Sequence, residues 1–197
     1  IVMCNTNPDA PRHSRHSQVL VPFATPGVQN LRPMEIFNID DAPHGHMHMR
    51  FTDVRVPKEN MILGQGRGFE VAQGRLGPGR IHHCMRSIGL AEAALKMMCE
   101  RSLEREAFGR PLAKLGGNVD IIAQARIEIE MTRLLCLKAA WLMDNVGTDA
   151  AQPYISMIKV AAPNMALKII DEAIQMYGGL GLSQDTPLAN WYGGQRV

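Results

Sequence analysis

Two textures of hydrophobic and polar positions divide the chain. Up to residue 66 the apolar residues come in short runs, SQVLVPFA and HMHMRFTDVRVP, which read as extended strands. Pro22, Pro26, Pro33, Pro43 and Pro57 interrupt any helix between them. Residues 1–66 are therefore expected to form the end of a small antiparallel β domain. After GQGRG the long apolar patterns carry the helical period. Ile81, Cys84, Ile88, Ala91, Leu95 and Met98 recur at spacings of three and four, predicting a helix that starts at Arg80 and stops near Phe108-Gly109, before Pro111.

A second helix is predicted from about Val119 to Asn145, with Ile122, Ala125, Ile129, Thr132, Cys136, Ala139 and Met143 on one face and Gly147 closing it. A third runs from about Pro153 to Tyr177, with Ile158, Ala162, Met165, Ile169, Ala173 and Met176 in line. Pro153 suits its first turn, while Pro163 lies inside and should kink it. A fourth begins near Pro187. The expected fold class is α+β, a partial antiparallel β domain (1–66) followed by an incomplete up-down four-helix bundle (67–197).

Composition narrows the functional classes. With 197 residues and 46% hydrophobic content the chain can bury a sizeable core. Lys plus Arg number 21 against 19 Asp plus Glu, and a formal charge of +2 is too small to build a nucleic-acid-binding surface. No apolar run approaches the roughly 20 residues that a transmembrane helix needs. Cys4, Cys84, Cys99 and Cys136 lie far apart, with no C-x-x-C pair and no disulfide framework. The chain starts at Ile1, without a methionine and signal segment, and is read as a piece of a longer soluble protein.

Several clusters invite a chemical reading. His44, His46 and His48 fall on one face of a probable strand, where imidazoles could share a metal, but no carboxylate or thiol partner stands at useful spacing and a polar outer face is the plainer reading. His82, His83 and Cys84 are helix neighbours about 100° apart and cannot converge on one ion. No metal is expected. GQGRGFE lacks the Lys-Ser/Thr of a P-loop, so a flexible inter-domain turn is preferred to a phosphate cradle.

Gly77-Pro78-Gly79 breaks the periodic pattern before Arg80. It is either a helix corner or a place where unpaired backbone and a cation receive a carbonyl or anion. In REAFGRPL, Arg105 stands three residues before Phe108. It could satisfy C-terminal carbonyls, the reading favoured on local grounds, or act as a fork for pyrophosphate beside an aromatic ring. QMYGGLGL follows a helix rather than a strand, so it is not a Rossmann turn. Gly178 and Gly179 read as a cap plus loop, or as bare backbone that another molecule can approach closely.

Together these segments resemble one family, the flavin-dependent acyl-CoA dehydrogenases. FTDVRVPKENMILGQGRGFEVAQGR is similar to the end of that family's middle β domain and its passage into the C-terminal bundle. REAFGRPL resembles its R-x-x-F-G-x-x-L motif, and IQMYGGLGLSQDTPLAN its Q-x-x-G-G-x-G-x-x-x-x-x-P segment. GRLGPGRIHHCMR resembles most the branch whose larger members carry an aminoglycoside-phosphotransferase-like domain. The resemblance implies a FAD enzyme that oxidises acyl-CoA to trans-2-enoyl-CoA, a carboxylate removing the α-proton while the β-hydrogen leaves as hydride to the flavin.

By the same resemblance Arg105, Phe108, Gln175, Gly178 and Gly179 match cofactor-contacting positions, the last three facing the FAD of a neighbouring subunit in a homodimer or homotetramer. Gly77, Pro78, Gly79 and Arg80 match the stretch that lines the acyl-CoA pocket. It further implies an electron-transfer flavoprotein as acceptor, and a mitochondrial or peroxisomal setting. There are departures. Gly116 stands where the family has a glutamine eight residues after the motif phenylalanine, and Gly79 stands where a minority of members carry the catalytic glutamate. The usual base is expected beyond Val197, so no catalytic residue is assigned, and residues 1–197 alone are expected not to turn over. Two alternatives stand beside the dehydrogenase: a non-catalytic binding or oligomerisation module on a degenerate scaffold, which Gly116 favours, and an acyl-CoA oxidase.

Overall fold

The computed structural model describes residues 1–40 and 42–196; Val197, the end of the expected bundle segment, lies outside the described residues, as does Asp41. The chain divides into two compact units, Ile1–Leu76 and Gly77–Val197. The first is mostly sheet. Strand β1 (Val2–Asn5) pairs antiparallel with β2 (His16–Val19), and β3 (Val28–Met34) pairs with β4 (His46–Phe51) in a separate ribbon. The short β5 (Met61–Ile62) adds to the other edge of β2. His46 and His48 stand opposite Met34 and Arg32 in the ribbon, whereas His44 precedes the strand.

Two of the three glycines after β5, Gly66 and Gly68, serve close packing, while Gly64 has open space where a Cβ would be. A Cβ on Gly66 would lie 2.9 Å from the Ser14 carbonyl oxygen, and one on Gly68 2.8 Å from that of His16. Here the buried Ser17 hydroxyl accepts the Gly66 N–H at 2.9 Å, and the Gln18 side-chain amide donates to the Gly68 carbonyl. The later part of GQGRG, Gly66 to Gly68, is thus pinned to β2 rather than free as expected.

The second unit is helical. Helix α1 spans Gly68–Glu104, so its later part belongs to this unit, and a two-residue hairpin, β6 (Glu106–Ala107) and β7 (Arg110–Pro111), follows it. Helices α2 (Asn118–Asn145), α3 (Thr148–Tyr177), α4 (Gly179–Leu182) and α5 (Leu188–Arg196) complete the unit. The periodic faces are buried: Cys84, Ile88, Ala91, Leu95 and Met98 on α1; Ala125, Ile129, Thr132, Cys136 and Ala139 on α2; Ile158, Ala162, Met165, Ile169 and Ala173 on α3. Each fully buried isoleucine contributes about 1.5–3 kcal/mol of transfer free energy. The Cys84 and Cys136 thiols donate to the carbonyls of Ile158 and Ile81, and burial pushes the Cys136 thiol up to about 11. Such thiols stay protonated and unreactive.

The helix limits correct three expectations. Helix α1 does not begin at Arg80 but passes unbroken through Gly77-Pro78-Gly79. Gly77 and Gly79 are buried while Pro78 is outside, and a Cβ on Gly77 would already touch Met143 Cε at 3.4 Å. Tertiary packing thus outweighs the roughly 3 kcal/mol propensity cost of an interior proline. The same helix ends four residues early, because Phe108 (φ 54°) and Gly109 (φ 76°) form a tight hairpin turn with both central residues left-handed. Helix α3 starts at Thr148, leaving Pro153 in its interior, and runs on through Pro163.

Ion pairs tie the helices across their exposed edges. Glu92 on α1 receives both Nη atoms of Arg126 on α2, at 2.7 and 2.9 Å, and a further bond from Arg133. The hydrogen bond from Arg126 holds the Glu92 carboxyl below its usual range. A depressed native value stabilises the fold above the unfolded carboxylate value of about 4.3, and that contribution is lost as pH falls through the native value. Glu92→Gln should therefore lower stability in urea melts at pH 7, and the gap to wild type should shrink as pH drops below about 4.3. A gap independent of pH would refute the assignment.

Candidate functional site

The end of α1, the start of α2 and the end of α3 enclose a cleft of about 410 Å³. Helix α1 contributes Arg101, with Arg105 just past its last residue, α2 contributes Asn118 and Ile121, and α3 contributes Glu172, Gln175 and Tyr177 before Gly178 and Gly179 complete the rim. The hairpin holds this geometry. The Arg105 N–H donates to the Arg101 carbonyl at 3.0 Å as the helix closes, the Leu112 N–H returns to the Arg105 carbonyl at 2.9 Å, and the Asn118 amide caps the Leu112 carbonyl at 2.8 Å.

Four of the residues singled out in the sequence, Arg105, Gln175, Gly178 and Gly179, thus share one cleft. Phe108 does not line it; the ring stands on the hairpin tip, 94% exposed. The stretch Gly77, Pro78, Gly79 and Arg80 lies 21–28 residues before Arg101 and Arg105, about 32–42 Å along the helix at 1.5 Å per residue. It has no broken helix end to offer a ligand; the interior Pro78, which has no N–H, leaves only the Gly74 carbonyl without its helical donor. Arg80 itself is half-buried, and its side chain makes no hydrogen bond or ion pair among the described residues.

Arg101 is the cleft residue that sequence reasoning missed, although its spacing of four from Arg105 puts both on one helix face. Its guanidinium carbon lies 5.2 Å from the centre of the Tyr177 ring, and its Nε is buried without a hydrogen-bond partner. Burial pushes the Tyr177 phenol up, with the nearby Arg101 charge opposing that shift, so the ring is neutral at physiological pH. Arg105 is exposed, and its side chain has no partner among the described residues. Against two guanidiniums the lining holds one carboxylate, Glu172. Glu100 and Glu104 also act on the Tyr177 phenol, so the two guanidiniums do not stand alone at this end of α1.

The three glycines of YGGLGL differ in kind. Gly178 ends α3 at φ 63°, ψ −143°, a conformation that suits only glycine. Gly179 has open space where a Cβ would be, and Gly181 is packed so tightly that its Cβ would sit 2.6 Å from the Ile174 carbonyl oxygen. Gly116, beside the start of α2, also has open space, so glycine is not sterically required there. A second cleft of about 280 Å³ between α2 and α3 is crossed by the Lys168–Glu128 ion pair at 2.6 Å.

Residues 66–197 match the family profile described as acyl-CoA dehydrogenase, C-terminal domain. Over all 197 residues the chain is 54% identical to acyl-CoA dehydrogenase family member 10 of Mus musculus, of which it spans 18%. A solved, provisionally assigned acyl-CoA dehydrogenase of Mycobacterium abscessus superposes with a TM-score of 0.96 at 55% identity, covering 98% of this chain and 48% of that one. Butyryl-CoA dehydrogenase of Megasphaera elsdenii gives 0.82 at 30% identity, over 98% of this chain and 49% of that one. The chain thus spans less than a fifth of the mouse relative and about half of either solved chain.

Two substitutions test the local geometry. Phe108 has an exposed ring and a left-handed backbone that costs an L-residue about 1–2 kcal/mol, partly offset by glycine's extra chain entropy of about 0.5–1 kcal/mol. Phe108→Gly should raise stability by about 0.5–1 kcal/mol in thermal or urea melts; a lower melting temperature would contradict the strain. Gly181→Ala forces α4 off the backbone of α3 and should cost about 1–3 kcal/mol, and a neutral result would refute that contact.

Proposed function

The chain belongs to the acyl-CoA dehydrogenase family, and on that premise we propose that the whole protein oxidises an acyl-CoA to its trans-2-enoyl-CoA with FAD as cofactor. One observation carries the assignment of a cofactor role to these residues: Arg105, Gln175, Gly178 and Gly179 converge on a cleft with two guanidiniums and an unsatisfied buried Arg101 Nε. Guanidiniums are suited to grip phosphate through paired N–H donors. Gln175 would add a neutral donor and acceptor, and the uncovered backbone at Gly178 and Gly179 lets a bulky ligand come close. When bound, the flavin supplies the acceptor for the β-hydride.

The acyl-CoA is proposed to lie against Gly77, Pro78, Gly79 and Arg80, with Arg80 as the unpaired cation of that stretch. Its thioester makes the α-hydrogen acidic, and a carboxylate from the rest of the protein is the proposed base, because the position before Arg80 is a glycine. Phe108, at the hairpin tip, is free to cover a flat ligand presented by another chain. That arrangement requires a dimer or tetramer with shared cofactor sites. The outward stripe Ile127, Met131, Leu134 and Trp141 on α2, each more than half exposed, supports such an assembly. An electron-transfer flavoprotein is the proposed acceptor of the electrons, on family grounds.

Gly116 keeps one rival in play, a scaffold that binds or oligomerises without catalysis. The visible spectrum of the full-length protein separates them. Flavin absorption that bleaches on anaerobic addition of an acyl-CoA is the expected result. A protein without flavin bands, or with bands that no acyl-CoA bleaches, would overturn the dehydrogenase reading and favour the rival.

A further inference from the structure

One face of the β3–β4 ribbon gathers donors that the linear sequence keeps apart. Residues directly opposite in an antiparallel pair share a face, with Cβ atoms about 4.5–5.5 Å apart. Met34 pairs with His46 and Arg32 with His48, so Met34, His46 and His48 stand on one face, while Pro33 and Met47 lie on the other. Successive positions on a face are about 6–7 Å apart along a strand, and a diagonal neighbour across the ribbon stays within reach of a long side chain. Two imidazoles and the Met34 thioether can therefore converge on one point above the sheet. His46 and His48 are exposed, Met34 is 42% exposed, and none of the three side chains has a hydrogen-bond or ion-pair partner among the described residues. A polar face accounts for the histidines but not for the methionine beside them.

The chemistry of this set selects its ligand. No group of three His, Cys, Asp or Glu able to hold a metal occurs among the described residues, so the third donor is the sulfur. A thioether is a soft ligand that favours copper(I), and imidazole also suits copper. Neither strand carries a carboxylate, and Arg32 and Arg50 share the face, so their charge opposes a divalent ion twice as strongly as a monovalent one. We propose that Met34, His46 and His48 form a binding site for a soft monovalent metal ion, copper(I), held by two nitrogens and one sulfur. Three donors on an exposed ribbon leave the ion open to solvent, which suits exchange rather than the closed coordination of a structural metal. The inference is independent of the flavin reading above.

The test is calorimetric titration of the purified full-length protein, free of any histidine tag, with copper(I) supplied anaerobically as its weak acetonitrile complex. Cys4→Ser and Cys99→Ser are introduced throughout, because partly exposed thiols also take copper(I). In that background the intact ribbon should bind one more copper(I) per chain than a variant combining Met34→Leu, His46→Gln and His48→Gln. Met34→Leu alone should weaken copper(I) by about 10- to 100-fold or more, since changes even behind metal ligands cost that much. It should leave nickel(II) and zinc(II) affinities unchanged, because those ions do not draw on the thioether. His46→Gln and His48→Gln should weaken all three ions. Melting temperatures of the metal-free variants should match the parent, since the three side chains are exposed.

A direct readout needs no variant at the site. The Met34 methyl signal in the carbon–proton NMR spectrum should shift when silver(I), a soft ion of the same charge, is added, and should stay put with zinc(II). If the intact ribbon takes no more copper(I) than the triple variant, the inference is overturned. It is equally overturned if Met34→Leu binds copper(I) as tightly as the parent, or if the Met34 methyl ignores silver(I), because the histidines then chelate adventitiously.

Discussion

The second unit depends on the breadth of the buried face of α3. Ile155, Ile158, Ile169 and Ile170 are fully or almost fully buried together with Ala151, Ala162, Ala166 and Ala173. Large residues fill the seam, and alanines let neighbouring helices approach closely. A face this wide serves α1, α2 and α5 at once. The cost of two interior prolines is absorbed because interrupting the helix would expose that face on several sides. The last turn of α3 then delivers Gln175, Tyr177 and the glycines to the cleft.

What could be read from the sequence followed the same logic. The apolar positions of α1, α2 and α3 kept their helical period because each helix buries one continuous face, so Ile88, Ile129 and Ile169 were legible as core from periodicity alone. Motif spacing made Arg105, Gln175, Gly178 and Gly179 legible as candidates, and family resemblance suggested what they hold. The missed features had tertiary causes. Gly77-Pro78-Gly79 looks like a helix break locally, yet packing against Met143 keeps α1 intact. The hairpin after Glu104 rests on two left-handed residues, one of them a phenylalanine, a choice no propensity scale favours. Arg101 carried a usable signal in its spacing from Arg105, but its contact with Tyr177 joins residues far apart in sequence.

The charged surface of the bundle shows a division between groups that stabilise and groups left available. Glu92, Arg126, Arg133 and Glu130 saturate one another, as do Lys168 and Glu128. At the cleft the balance is reversed, with Arg101 and Arg105 outnumbering Glu172. Glu100 and Glu104 stand close enough to act on Tyr177, so the charges there are mixed, but neither Arg101 nor Arg105 is fixed in an ion pair among the described residues.

The contact between Gly181 and the Ile174 carbonyl has a mechanical consequence. With α4 seated directly on the backbone of α3, the intervening Gly178 and Gly179 cannot swing as an independent loop; they are indexed to the helix behind them. A shift of α3 along its axis would carry the rim of the cleft with it. Core substitutions on α3 would therefore register at the rim of the cleft as changes in alignment.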